Sequence, residues 1–90
     1  MIKDLLKDVP ELYSQDGKGI KADVYLVLEG INGWKWYITE YNEKDNLAFG
    51  YVKGFENEWG YIDIEEIQQN IDKGYIYIKS QEIKQLEEYI

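Results

Sequence analysis

Residues 33–64 read GWKWYITEYNEKDNLAFGYVKGFENEWGYIDI. They hold all three tryptophans, both phenylalanines and four of the nine tyrosines. Within WKWYITEY, Trp34, Trp36 and Ile38 fall on one face of a period-2 pattern, and Lys35, Tyr37, Thr39 and Tyr41 on the other. NEKDN is polar throughout and marks a turn. LAFGYVKGF alternates again, with Leu47, Phe49, Tyr51 and Phe55 opposite Ala48, Gly50, Val52 and Gly54. A glycine inside a strand weakens it unless something approaches closely, so Gly50 is expected to make room for the indoles of the neighbouring strand. EWGYIDI is a further strand, which makes the stretch an antiparallel array.

The flanks extend it. Upstream, ADVYLVLE reads as a strand buried on both faces, joined to Trp34 by the turn signal GING. Before it, IKDLLKDV places Ile2, Leu5, Leu6 and Val9 at helical spacing, closed by Pro10. SQDGKG is a loop. Downstream, Asp63 can cap a helix running through Gln69–Ile71, with Glu66 placed as in a capping box and Ile64, Ile67 and Ile71 as its apolar stripe. KGYIYIK is a fifth strand. Ser80 can cap a last helix carrying Ile83, Leu86 and Ile90. The order predicts an α+β fold: one domain over residues 1–90, a mainly antiparallel sheet of about five strands, and two or three short helices packed against it. Trp34, Trp36, Phe49 and Phe55 are the expected core, because a chain of 90 residues gains most from large rings that each bury about 150–250 Å². Trp59, Tyr61 and Tyr41, nearer turns and charges, are the expected contact face.

Composition excludes much chemistry. There is no histidine and no cysteine. The usual general base near neutral pH, the thiolate nucleophile and a zinc ligand set are absent, and no cofactor or metal is expected. Only carboxylates remain for acid–base work; Asp16, Glu40 and Glu43 are the candidates near loops or aromatics. Period 2 puts Glu40 on the face of Trp34, Trp36 and Ile38; the plainer expectation is that it lies in solvent or pairs with a lysine. YNEKDN offers oxygen ligands without calcium-loop spacing, and DGKG lacks the context of a phosphate loop.

Net charge is −8, and every base is a lysine. Residues 56–90 hold nine acids against three lysines, residues 1–55 nine against seven. Nucleic acid needs cations to displace its counterions, so direct DNA or RNA binding is disfavoured; a basic protein partner is the natural opposite, and the plainer expectation is that the acidity serves solubility alone. No apolar run is long enough to serve as a signal peptide or cross a membrane, which makes a soluble cytoplasmic protein the expectation.

ELYSQDGKG, GWKWYITEYNEKD and AFGYVKGFENEWGYIDIEEI together resemble the family labelled domain of unknown function 2958, over roughly residues 5–80. That resemblance implies a protein of plasmids, integrative elements or phages, working in a reducing cytoplasm, with no activity to carry over. It departs where QQNIDKGYIYI replaces a longer Gly/Pro-containing segment, which would imply a different partner if that segment shapes a binding loop. Mobile elements carry small inhibitors of host defence, of the anti-CRISPR or anti-restriction type. An acidic domain could occupy the basic channel of such a complex through Glu56, Glu58, Glu65, Glu66, Asp72, Glu82, Glu87 and Glu88, anchored by Trp59, Tyr61 and Tyr75. The alternatives are an accessory or self-associating module that uses an aromatic surface, and a small carboxylate-based enzyme.

Overall fold

In the computed structural model, which describes residues 1–90, the 33–64 stretch forms three consecutive antiparallel strands. The elements run in chain order as β1 (Asp23–Val24), β2 (Leu26–Gly30), β3 (Lys35–Asn42), β4 (Leu47–Lys53), β5 (Asn57–Asp63), α1 (Ile64–Asp72), β6 (Ile76–Ser80), β7 (Lys84–Gln85) and α2 (Leu86–Tyr89), with 3-10 turns at Ile2–Leu6 and Gly19–Lys21. Five strands make one antiparallel sheet in the order β5-β4-β3-β2-β6, and β1 pairs with β7 in a separate ladder. The α+β class read from the sequence is the class observed.

β2 is paired on both sides, by β3 and β6. Leu26, Val27 and Leu28 are all buried because side chains pack on both faces of the sheet there. On one face, Leu26, Leu28, Ile38, Ala48 and Ile62 meet Ile64 and Ile67 of α1 and Ile2, Leu6 and Val9 of the N-terminal segment. On the other, Val27 and Tyr37 meet Val24 and Leu86. The core is therefore mainly aliphatic, with Tyr37 and Tyr41 as its buried rings. The expectation that Trp34, Trp36, Phe49 and Phe55 fill it is overturned: the first three are half-buried, and Phe55 is 95% exposed. Phe55 lies beyond the end of β4, where its ring meets Trp34 edge-on at 5.2 Å. Tyr41 reverses the other way. It is buried, and its hydroxyl donates to Asn46 Oδ1 at 2.6 Å.

The termini also differ. IKDLLKDV forms only a five-residue 3-10 helix, tied to α1 where the Ile2 N–H donates to Gln68 Oε1 at 2.7 Å. The last helix does not start at Ser80. Pairing of Lys84–Gln85 with Asp23–Val24 holds the chain extended, and α2 is four residues long, with Gln85 N–H donating to Glu88 Oε2. Ser80 Oγ instead accepts the Glu82 N–H at 3.1 Å.

Asp63 does cap α1. Its Oδ1 accepts the N–H groups of Glu65 and Glu66, at 3.0 and 3.4 Å. Asp63→Ala strands those donors and should cost about 1 kcal/mol in urea unfolding.

Candidate binding cleft

A break in the strand pattern builds the site. Ile38 pairs with Gly50, yet Glu40, not Thr39, pairs with Phe49. Two residues of β3 stand opposite one of β4, a bulge that re-aims the side chains after it. Glu40 therefore leaves the Trp36–Ile38 face and joins Tyr37 and Phe49 on the opposite one. It lies neither in solvent nor against a lysine. It is 4% exposed, and its two oxygens accept the N–H groups of Tyr13 at 2.8 Å and Gln15 at 2.9 Å.

The chain has three buried polar or charged residues, Gln15, Thr39 and Glu40, and all three lie here. β2 pairs with β3 only as far as Ile38. Beyond it the N-terminal segment takes over: Tyr41 N–H donates to Pro10 O at 2.9 Å, and Gln15 Nε2 donates to Thr39 O at 2.8 Å. Gln15 also exchanges bonds with the Asp23 backbone, donating at 2.8 Å and accepting at 2.6 Å. Thr39 Oγ1 donates to Phe49 O at 3.1 Å. A buried polar group is stable only with its partners made, and here the network fixes residues 13–15 against the bulge. Tyr13 is held at φ 72, a left-handed conformation uncommon for a residue with a side chain.

Between this segment and β4–β5 opens a cleft of about 360 Å³. Glu40 and Thr39 line it together with Phe49, Trp59 and Tyr13, and with Asp16, Gly17 and Gly19 of the loop. Phe49 stacks on Trp59 with centroids 5.8 Å apart and planes 9° apart, and meets Tyr61 edge-on at 5.2 Å. Tyr51 meets Trp59 edge-on at 5.4 Å. The hydroxyls of Tyr13 and Tyr61 share a hydrogen bond of 2.7 Å. That bond first, then partial burial and the neighbouring Tyr13 and Glu40, raise the Tyr61 phenol above its ordinary value. Trp59 and Tyr61 remain 37% and 54% exposed on β5, whose outer edge has no partner strand.

Of the three carboxylates singled out in the sequence, the cleft unites Asp16 and Glu40. Glu43 lies near the N-terminal turn, with Lys3 and Tyr41. The oxygens of YNEKDN serve the turn itself, with Asn42 Oδ1 accepting the Asp45 N–H at 2.8 Å. The eleven expected partner residues are not brought onto one surface; Glu82 lies between β6 and β7 and pairs with Lys84 at 3.5 Å. Trp59 and Tyr61 belong to the cleft face. Glu58 and Glu66 share a groove between β5 and α1, and Tyr75 lines another with Ile31 and Trp34. Glu65 and Asp72 stand on α1, and Glu56 in the β4–β5 turn. Glu87 and Glu88 ride on α2, across the sheet from α1; Glu87 pairs with Lys21 at 2.7 Å and Glu88 binds Gln85. Tyr13, Gln15, Thr39 and Phe49 are among the cleft residues that the sequence does not single out for a site; the run of rings in residues 33–64 is a signal for Phe49 alone.

No family model, curated protein or solved structure matches this chain. No helix is long and apolar enough to cross a membrane.

Proposed function

We propose that this chain is a non-enzymatic protein-binding domain that docks a basic partner on the aromatic face of β4 and β5. One observation carries the reading: Trp59 and Tyr61 stay exposed in a ring cluster on an open edge strand, while the mainly aliphatic core closes without them. Exposed aromatics clustered in this way are typical interface anchors, and an unpaired strand edge accepts an added strand. The net charge of −8, with no arginine, favours a partner whose surface is basic, such as one that handles nucleic acid. An inhibitor of a host defence complex in a reducing cytoplasm is the form of this reading that the charge and the 2958-type resemblance support together.

The meeting of Asp16 and Glu40 in one cleft favours a second reading, a small carboxylate enzyme. Against it, both Glu40 oxygens already accept backbone N–H groups, which suits a fixed wall better than a proton shuttle.

The test is capture of a partner from the native host by tagged protein, washed at low and high salt. Trp59→Ser with Tyr61→Ser should lower capture at least about tenfold, as loss of an interface anchor does. Glu65→Lys with Glu66→Lys should act mainly through salt dependence. Equal capture by the aromatic double variant, with its circular dichroism unchanged, would retire the docking reading.

A further inference from the structure

We propose that the cleft is a receptor for a single alkylammonium or guanidinium group, supplied by a lysine or arginine side chain of the partner. The inference rests on the docking reading for the source of that cation; the chemistry of the cleft stands on its own geometry.

Charge comes first. Glu40 lies at the buried wall of the cleft and Asp16 at its exposed rim, and no lysine lines it. The four ion pairs of the chain involve Asp4, Glu87, Glu29 and Glu82, and neither cleft carboxylate. Of the two lysines on the same loop, Lys21 is engaged by Glu87, and Lys18 pairs with no carboxylate. Both cleft carboxylates are thus left without an internal counter-cation. A carboxylate has about four acceptor sites, and the N–H groups of Tyr13 and Gln15 fill two on Glu40, so acceptor capacity remains.

The walls select the same guest. Phe49, Trp59 and Tyr13 line the same cleft as the carboxylate. Aromatic faces attract cations, tryptophan most strongly, and the alkyl stem of lysine or arginine packs well on rings while its head seeks charge. An anion would be repelled. A neutral apolar guest would strip water from Glu40 without replacing its interactions. A cleft of about 360 Å³ is at the small end of ligand cavities, the scale of a side chain rather than of a large cofactor. Trp59 also belongs to the exposed cluster on β5, so a segment laid along that edge strand passes the mouth of the cleft.

The experiment uses the full ¹⁵N-labelled chain. The Trp59 indole N–H is assigned by its loss in Trp59→Phe and followed together with the Tyr13 and Gln15 amides. The probes are n-butylguanidinium, n-butylammonium and the neutral isostere N-butylurea. The expected result is a saturable shift of all three signals with both cations at millimolar concentration, and binding of the urea weaker by about tenfold or more. Asp16→Asn, an exposed rim change that spares the buried network, should weaken cation binding several-fold. An equal response to the urea, or no saturable response to any probe, overturns the proposal. The same cations added to the captured partner should displace it. Displacement failing while the cleft binds cations overturns the assignment of the guest to the partner. Partner capture with no cation response at Trp59 sinks the cleft proposal and leaves the docking reading standing. A cation response without any partner does the reverse.

Discussion

Gly50→Ala should unfold the sheet or weaken it by at least about 3 kcal/mol, while Gly60→Ala, the same change at its register partner, should stay within about 0.5 kcal/mol. A Cβ built on Gly50 would lie 2.0 Å from the Tyr37 carbonyl oxygen, 2.9 Å from its carbon and 3.1 Å from Ile38 Cα. All three are backbone atoms of β3. That strand cannot retreat, because it is paired with β2 on one side and β4 on the other. Ile38 also begins the bulge, so any shift there disturbs Glu40 and the cleft. A Cβ on Gly60 meets nothing within 4 Å, and on edge strand β5 it has solvent to enter. Urea unfolding of both variants, with m-values compared, separates the two outcomes. Equal midpoints would mean that β4 does not press against β3 as described.

The glycine also shows what a sequence can and cannot reveal. LAFGYVKGF marks Gly50 as a site of close approach, but the expected neighbour was an indole and the actual one is backbone. The glycine that does make room for an indole is Gly54, whose Cβ would stand 2.6 Å from the Trp34 ring. Period-2 patterning located β3 and β4, a short apolar run located β2, and Asp63 was legible because a cap acts over three residues. Ring burial was not legible. Size says how much surface a side chain can hide, not whether Ile2, Leu6, Ile64 and Ile67 will cover that face first. The two-strand ladder was missed because Val24 and Lys84 pair across a long chain separation, with two residues in each strand. The position of Glu40 was missed for a related reason. A one-residue bulge inverts every later side chain on the strand, and no local residue pattern announces it.

Glu40→Ala should therefore cost about 3 kcal/mol, with Glu40→Gln near half of that. Alanine leaves the Tyr13 and Gln15 N–H groups without their acceptor, in a segment where Gln15 is 6% exposed. Hydrogen bonds to a charged group contribute about 1.5–3 kcal/mol each, and a buried donor left unmet carries its own penalty. Glutamine keeps one oxygen that can accept one of the two. The left-handed Tyr13 adds to the effect: its conformation is sustained by Glu40 from below and by the hydroxyl bond to Tyr61 at the ring's far end. Without the carboxylate the segment should relax, open the cleft and expose Phe49. Two measurements check this: urea unfolding, and hydrogen exchange of the Tyr13 and Gln15 amides, which should speed up in Glu40→Ala well beyond the change in global stability. Unchanged exchange at both amides would show that Glu40 does not hold the loop, and the cleft would then lose the wall on which its selectivity for cations depends.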